Sequence, residues 1–335
     1  MIRSGGFALV LVLWVLSLLA IMAGSFALSM RREAGIVTGS SNNAQAMAVA
    51  ESGLAIAELM LMNPDQRQRW RTDGSIYQLD YADSKVRVRL LSETGKVDLN
   101  SADQSLLQGL MFHAPVDVEL QTRLVNAILD WRDADDLVHI EGAEKEEYKD
   151  AGLSYRPRNK PFQSIEELQL VLGMNEQTFK WIENLVTVYS GQPKVDVTQA
   201  AKEVLYVLPG MDAGLIDQYI AARRESAITG LPAPTIPVVA NPGVASGQTG
   251  ENAPAIAIND GTEQKGVITV VAEAQLDDGT TATIKALIKK PDSPAGTSPF
   301  QVLKWQRNTA VDGSLFVDEK DELLVRQYAE PEFND

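Results

Sequence analysis

The chain begins with residues 1–32, MIRSGGFALVLVLWVLSLLAIMAGSFALSMRR, which contain a long apolar run after a short leader. No residue between Ser4 and Met30 carries a charge. A helix over the 22 residues from Phe7 to Leu28 would be roughly 33 Å long, enough to cross the hydrocarbon layer of a bilayer. The apolar core of a cleavable secretory signal is about half that length. This stretch therefore predicts a membrane-spanning helix.

Two interpretations of this helix are open. The simpler one is a signal anchor that tethers a soluble domain. The other rests on Arg3, which precedes a Gly6-Phe7 junction, and on a helical pattern that continues from residue 41 to 62 and stops at Asn63-Pro64. This arrangement resembles the class III leader of type IV pilins and pseudopilins. The resemblance implies that a prepilin peptidase cuts between Gly6 and Phe7 and that the new amino terminus is methylated.

Members of that family normally carry Glu at the fifth mature position, where this chain has Leu11. In the family, this Glu is thought to neutralise the amino terminus of a neighbouring subunit during assembly. A carboxylate buried in lipid costs several kcal/mol unless a positive group pairs with it. A subunit at the tip of a filament has no neighbour above it, so loss of the Glu is physically reasonable there. This loss resembles the K-type minor pseudopilin of the type II secretion system.

The composition fits a two-part protein outside the cytoplasm. The chain has 335 residues, with 45 acidic and 30 basic side chains and a net charge of −15. This charge opposes binding to nucleic acid or to anionic lipid surfaces. The chain contains no Cys, which excludes disulfides and thiol chemistry. Arg31 and Arg32 outnumber Arg3 across the apolar run, so charge leaves the topology ambiguous. Only the resemblance places the C-terminal bulk in the periplasm.

The pattern after the helix predicts an antiparallel sheet. Residues 85–91 alternate between charged and apolar side chains, which is typical of a half-buried strand. Two further apolar segments, 267–274 and 282–288, flank Asp277-Asp278-Gly279 and predict a hairpin. Residues 300–305 alternate again and predict a third strand of this region. A long helix with an antiparallel sheet is the pilin plan, so we expect the α+β class.

A segment of helical character, about residues 98–262, interrupts this plan. Residues 96–102 are echoed by 194–200, and 171–175 are echoed by 207–212. Ser164 and Glu167 have the spacing of a capping box ahead of a helix. The units resemble helix-hairpin-helix and sterile-alpha-motif-like modules. Such units can bind DNA through turn amides, but the acidity of the chain favours a packing role.

The inserted segment also carries the motifs that most resemble the K-type pseudopilin. These motifs are Asp130-Trp131-Arg132-Asp133-Ala134-Asp135-Asp136, Gly142-Ala143-Glu144, Tyr148, Tyr155-Arg156-Pro157, Asn159, Pro161-Phe162 and Glu167-Leu168. The resemblance covers nearly the whole chain, and we expect five parts. They are a leader (1–6), a pilin helix (7–64), a pseudopilin α/β domain (65–97 and 266–335), an inserted all-α domain (98–232) and a flexible loop (233–265). The loop departs from the family and is predicted from its composition, which is rich in Pro, Gly, Ala and Thr.

The acidic cluster in this segment is the candidate metal site. With Asp133 as position 1 of a twelve-residue loop, Asp135, Glu141 and Glu144 fall at positions 3, 9 and 12. Oxygen ligands at these offsets suit a cation of calcium size, but Val138 replaces the Gly that an EF-hand needs at position 6. Spacing alone also allows a solvated acidic loop. Calcium sites in this segment are implied by the family resemblance. The predicted ligands are Asp133, Asp135, Asp136, Glu141 and Glu144, with Asp130 a weaker candidate.

The competing functional class is an enzyme. The only histidines, His113 and His139, have no triad-like partners in the sequence, and His139 by itself is typical of a surface residue. We expect no catalysis. The resemblance implies a minor pseudopilin that initiates or caps the type II secretion pseudopilus in the inner membrane. Its expected partners are the I- and J-type minor pseudopilins, other pseudopilins and prepilin peptidase. The alternative is a minor pilin or tip adhesin of a related type IV pilus.

Overall fold

The computed structural model describes residues 5–236, 256–257, 266–291, 299–307 and 313–328. Most of the leader, residues 1–4, and most of the loop predicted over 233–265 therefore lie outside the described residues.

Seven α-helices and ten strands form the described part of the chain. The helices are α1 (Gly5–Leu61), α2 (Gln104–Phe112), α3 (Val118–Arg132), α4 (Lys145–Asp150), α5 (Glu176–Ile182), α6 (Lys202–Val207) and α7 (Ala213–Ile228). The strands are β1 (Asp73–Tyr81), β2 (Ser84–Ser92), β3 (Val97–Asp98), β4 (Val186–Thr187), β5 (Val195–Asp196), β6 (Ile256–Ala257), β7 (Val267–Leu276), β8 (Thr281–Lys289), β9 (Gln301–Arg307) and β10 (Leu324–Tyr328). Short 3-10 helices cover Glu93–Gly95, Ile165–Leu170 and Asp318–Leu323.

The long predicted helix is confirmed, and it ends just before Asn63-Pro64 as expected. Only its C-terminal third packs against the sheet. The residues buried there recur at helical spacing, and they are Ala46, Ala50, Gly53, Leu54, Ala57 and Leu61. A Cβ atom on Gly53 would lie 2.8 Å from Val86 Cγ2, so a glycine allows α1 to approach the sheet closely.

The sheet has six strands in the order β10-β1-β2-β7-β8-β9. The predicted strands correspond to β2, β7, β8 and β9, and the predicted hairpin is confirmed by a turn in which Gly279 has a φ of +86°. Two strands, β1 and β10, were not predicted. They pair in parallel, whereas every other pair in this sheet is antiparallel. The α+β class is confirmed, with the helical insertion placed between the neighbouring strands β2 and β7.

The alternation of β2 suggested a charged face exposed to solvent. Only Lys85, near the start of the strand, is exposed, whereas Arg87 and Arg89 are buried. Arg89 is only 2% exposed, and its Nη2 donates to Glu203 of α6 at 2.9 and 3.1 Å. Arg87 Nη1 donates to the carbonyl of Leu315 at 2.8 Å. The alternate residues Val86 and Val88 pack toward α1. The sheet is therefore covered on both faces, by α1 on one side and mainly by the insertion on the other.

A buried arginine of α7 ties the insertion to the start of the sheet. Arg223 is 3% exposed and donates to the carbonyls of Ala200 and Asp73, both at 2.7 Å. Arg71 Nη1 donates to the carbonyl of Arg223 at 3.2 Å and to Ser226 Oγ at 2.9 Å. The two carbonyls accept from the buried guanidinium of Arg223, as a buried charged donor requires. Together with the contacts of Arg71, they join the insertion to the start of the sheet.

The internal echo corresponds to a repeated strand, turn and helix. In the first copy, Asp98 Oδ1 accepts from the backbone N–H of Asn100 at 2.8 Å. In the second copy, Asp196 Oδ1 accepts from the N–H of Thr198 at 3.0 Å. Each aspartate therefore builds an Asx turn that starts the following element. The two copies of the repeat therefore share one local structure.

The two predicted helix-turn-helix units are present. Gly173 lies in the turn between the 3-10 helix at 165–170 and α5, with a φ of +90°. Gly210 lies between α6 and α7, with a φ of +79°. The predicted capping box is wrong, because the Glu167 carboxylate accepts from the N–H of Gln163 and the Ser164 side chain caps no helical N–H. In a capping box, the Glu167 carboxylate would accept from the backbone N–H of Ser164. Here it accepts from the N–H of Gln163 instead.

Candidate metal site and family

The candidate site begins where α3 ends. Asp130 lies in the last turn of α3 and is fully buried. Its Oδ2 accepts from the backbone N–H of Ala143 at 2.6 Å, and its Oδ1 accepts from the N–H of His139 at 3.1 Å. The His139 Nδ1 atom also contacts Asp130 Oδ1. One aspartate thus holds the far end of the loop against the helix from which the loop starts.

Gly142 makes this closure possible. A Cβ atom at this position would lie 2.0 Å from Asp130 Oδ2 and 3.0 Å from the carbonyl oxygen of His139. No L-side chain fits at such distances without displacing the aspartate. The glycine of the Gly142-Ala143-Glu144 motif is therefore required by the packing of the loop on Asp130.

Three carboxylate oxygens near Asp130 have no hydrogen-bond donor among the described residues. They are Asp133 Oδ1 and both oxygens of Glu144, and all three are buried. The Glu144 side chain faces the backbone N–H of Glu147 at the start of α4, as in a capping box, but makes no hydrogen bond with it. Buried polar atoms are nearly always paired with a donor, an ordered water or an ion. In addition, Asp130, Asp133 and His139 offer ligand atoms that all lie within 4.8 Å of one another. The oxygens without donors, together with the close spacing of Asp130, Asp133 and His139, fit a hard cation, which prefers oxygen ligands.

The carboxylates of this cluster oppose one another's ionisation. Burial raises the pKa of Glu144 to about 7, and the negative charges of Asp130 and Asp133 add to the rise. Burial also raises the pKa of Asp133, with further contributions from Asp135 and Asp130 and partial relief from His139. A cation at this position would relieve both the burial cost and the repulsion, because an opposite charge favours the ionised form.

The other predicted ligands lie on the outer part of the loop. Asp135 is exposed, and its Oδ1 accepts from the N–H of Leu137 at 2.9 Å. Asp136 Oδ1 accepts from Asn159 Nδ2 at 2.9 Å. Glu141 is exposed and has a φ of +62°. The structure thus brings Asp133 and Glu144 to Asp130 and places these three residues farther out. Whether any of the five binds a cation stays a prediction.

Sequence reasoning gave too little weight to Asp130 and His139. The twelve-residue loop spacing used for the prediction started at Asp133. It therefore could not include Asp130, which lies on the preceding turn of α3. One signal was available, because Asp130 lies three residues before Asp133 and such a pair shares one helix face. The His139 side chain is 43% exposed, in agreement with the surface position expected, yet its ring is held by Asp130.

The other predicted site is the processing junction. Gly6 and Phe7 lie in the first turns of α1, and Leu11 is exposed on the same helix. Within Leu9–Leu61, an apolar window with a mean hydropathy of 2.5 has none of its residues buried. By length and composition this helix can cross a membrane. Cleavage and methylation stay predictions.

The comparison with known families decides the assignment. Residues 84–191 match the model of the family described as type II secretion system (T2SS), protein K. This segment belongs to that family. The match begins at β2 and ends after β4, so it includes residues 133–144, the loop that follows α3 and is called the α3 loop below, with its Gly142-Ala143-Glu144 motif. The resemblance to the K-type pseudopilin is confirmed. The family itself is described as a component of a secretion system.

One solved structure that this chain matches is the crystal structure of the GspK-GspI-GspJ complex from the type 2 secretion system of enterotoxigenic Escherichia coli. The match has 16% identity and a TM-score of 0.46, and it covers 84% of this chain and 99% of that chain. No curated protein sequence matches this chain significantly.

Proposed function

We propose that this protein is the minor pseudopilin at the tip of a type II secretion pseudopilus. In this role it starts or caps assembly for the export of folded proteins across the outer membrane. The observation that carries the proposal is the combination of a protein K segment with an apolar, unburied helix that is continuous with the domain. The chain is anchored in the inner membrane by α1, with its C-terminal bulk in the periplasm.

The tip position is supported by Leu11 and by the shape of the domain. Leu11 offers no carboxylate to the amino terminus of a neighbouring subunit, so it does not provide the contact expected along a filament shaft. The insertion covers the face of the sheet opposite α1 and makes this subunit bulkier than a helix and sheet alone. A subunit of this kind ends a filament more readily than it repeats within one.

We also propose a structural role for calcium. Asp130, Asp133 and Glu144 would supply its oxygens, with His139 next to them, and the outer loop residues would surround the site. The ion would supply positive charge to carboxylates that otherwise repel one another. Within the chain, Asp130 orients the loop through its bonds to His139 and Ala143, and Gly142 allows this approach.

The proposed partners are the I- and J-type minor pseudopilins, and prepilin peptidase is the proposed processing enzyme. No catalytic activity is proposed. The test is to co-express the full chain with the I- and J-type subunits of the same secretion system and to purify the complex from membranes through a tag on this chain. Recovery of both subunits supports the proposal. Recovery of the chain alone, or with type IV pilus subunits only, contradicts it.

A further inference from the structure

His139 supplies a nitrogen ligand next to the carboxylates at the end of α3. Its Nδ1 atom contacts Asp130 Oδ1 and lies 3.8 Å from Asp133 Oδ2. The ligand atoms of these three residues all lie within 4.8 Å of one another, and the described part of the chain contains no other such group. Two carboxylates and an imidazole are therefore already within reach of a single ion.

Glu144 is an independent sign that this group receives an ion. The residue is only 5% exposed, and neither of its carboxylate oxygens has a hydrogen-bond donor among the described residues. The negative charges of Asp130 and Asp133 act on this carboxylate, so it lies close to theirs. A buried charge without a partner is costly, and an ion shared with the neighbouring carboxylates would offset that cost.

The backbone on either side of the imidazole is held in place. The N–H of His139 donates to Asp130 Oδ1 at 3.1 Å, and the next carbonyl, of Ile140, accepts from Asn126 Nδ2 at 2.7 Å. Asp130 Oδ2 is itself oriented by the N–H of Ala143 at 2.6 Å. Hydrogen bonds of this kind orient the direct ligands in metal sites. The His139 ring is therefore positioned by the fold and not by its own flexibility.

The imidazole nitrogen decides which class of ion gains from His139. Calcium and magnesium take oxygen ligands, so they gain no direct bond from this side chain. Zinc takes His nitrogen together with Asp or Glu oxygen, at about 2.0–2.2 Å from the metal. Two such ligands of one ion lie at most about 4.3 Å apart. The 3.8 Å between His139 Nδ1 and Asp133 Oδ2 is within this limit.

We propose that Asp130, Asp133 and His139 bind a zinc ion, with Glu144 as the fourth ligand. The side chains of His139 and Asp133 are 43% and 29% exposed, so the ion has a path from solvent. The inference deepens the cation site proposed above and rests on that cluster, but not on the pseudopilin role. His139 binds zinc directly, whereas calcium uses the carboxylates alone. The two ions compete, because they share Asp133 and Glu144.

The first test measures zinc binding to the full chain in detergent, purified through a tag that contains no histidine. Competition with a chromophoric chelator should give one zinc ion per chain. His139→Gln should weaken zinc binding on the order of 100-fold, because loss of a direct ligand costs at least as much as loss of a group that supports one. His113→Gln is the matched control and should leave zinc affinity unchanged. His113 is the only other histidine and is exposed at the end of α2.

The second test separates a zinc ligand from a residue that only braces the loop through Asp130. We expect His139→Gln to keep the rise in melting temperature with calcium, since calcium uses oxygen ligands. Cobalt(II) then serves as a coloured substitute for zinc, whose visible absorption depends on the atoms that coordinate it. This spectrum should change in His139→Gln and stay as in the wild type in His113→Gln.

The outcomes separate the zinc site from the other proposals. Equal zinc affinity of the wild type and His139→Gln overturns His139 as a ligand. An equal loss of affinity in His113→Gln overturns the site, because zinc would then bind surface histidines in general. Loss of the calcium response together with zinc binding in His139→Gln overturns the assignment as well, since the imidazole would act only by holding Asp130.

Absence of zinc binding with an intact calcium response overturns the zinc site and leaves the proposed calcium role in place. If neither ion changes the melting temperature or binds, the cation site fails as a whole. The pseudopilin function is tested separately, by recovery of the I- and J-type subunits, and stands or fails on that result.

Discussion

Arg89 of β2 and Glu203 of α6 form an ion pair between the sheet and the insertion. The distance from Arg89 Nη2 to Glu203 Oε2 is 2.9 Å, and the arginine side chain is 2% exposed whereas that of Glu203 is 42% exposed. Lys320 Nζ also lies 3.1 Å from Glu203 Oε1. A single carboxylate therefore balances two cations at the junction of the two parts of the chain.

This junction predicts a pH-dependent stability. Burial alone would raise the pKa of Glu203, but the charges of Arg89 and Lys320 outweigh it and hold that pKa well below its usual range. A depressed pKa stabilises the fold above the unfolded value of about 4.3, and this contribution is lost as pH falls further. Glu203→Gln should lower the free energy of unfolding at pH 7 by about 1 kcal/mol, and the difference should shrink below about pH 4.

The measurement is urea unfolding of the full chain in detergent at several pH values. Glu176→Gln is the control, because Glu176 forms only an exposed pair with Lys180 on α5 and such pairs contribute little. A difference between wild type and Glu203→Gln that is constant from pH 7 to pH 3 would contradict the role of this carboxylate.

Calcium should stabilise the protein if the α3 loop binds it. A ligand that binds only the folded state adds about 2.7 kcal/mol at a concentration 100 times its Kd. We expect the melting temperature to fall in chelator and to recover with calcium but poorly with magnesium, which requires a stricter octahedral geometry. Circular dichroism melts of the full chain measure this effect.

The matched variants for this prediction remove equal charge at different places. Asp133→Ala combined with Glu144→Ala should abolish the calcium response. Glu119→Ala combined with Glu176→Ala, at exposed helix positions, should keep it. An unchanged melting temperature with calcium or chelator in the wild type would return the cluster to a solvated acidic loop.

Gly142→Ala should destabilise the loop, because its Cβ atom would lie 2.0 Å from Asp130 Oδ2. Overpacking of this kind typically costs about 1–3 kcal/mol. Gly266→Ala is a suitable control, since a Cβ there would meet only Thr94 Cγ2 at 3.8 Å. Limited proteolysis should cut the loop of the Gly142→Ala variant faster than that of the wild type. Equal cleavage rates in the two proteins would show that the loop does not need this glycine.

Processing should remove residues 1–6 and leave Phe7 at the amino terminus. We expect Gly6→Ala to impair cleavage, because the junction resembles a peptidase site that tolerates little beyond glycine. Intact-mass analysis of protein purified from membranes measures the new terminus. Gly24→Ala, in the apolar helix where no atom lies within 4 Å of an added Cβ, should be processed normally. Mature protein that keeps Met1, or that begins after Leu28, would contradict the pseudopilin interpretation.

Local patterns predicted the elements whose signals lie within the sequence itself. The apolar run gave α1, and the Asp277-Asp278-Gly279 turn gave the hairpin of β7 and β8. Strand β1 was missed because both of its faces are largely buried, so it lacks a clear alternation. Strand β10 was missed because its parallel pairing with β1 joins residues far apart in the chain.

In the candidate site too, residues with a local spacing signal were predicted, whereas a position that depends on a tertiary contact was not. The acidic spacing pointed to Asp133 and Glu144, and the structure leaves Asp133 Oδ1 and both Glu144 oxygens buried without donors. The central position of Asp130 depends on the loop folding back onto α3, and spacing along the chain does not encode that return. The burial of Arg89 could not be read from β2 alone either, because its partner Glu203 belongs to a helix more than a hundred residues later.

The central claim is that this subunit occupies the tip of the filament. The most direct measurement is its copy number relative to the major subunit in isolated pseudopili, determined by quantitative mass spectrometry with isotope-labelled peptides. A tip position predicts about one copy per filament, independent of filament length. A copy number that rises in proportion to length would place the protein along the shaft and contradict the tip position.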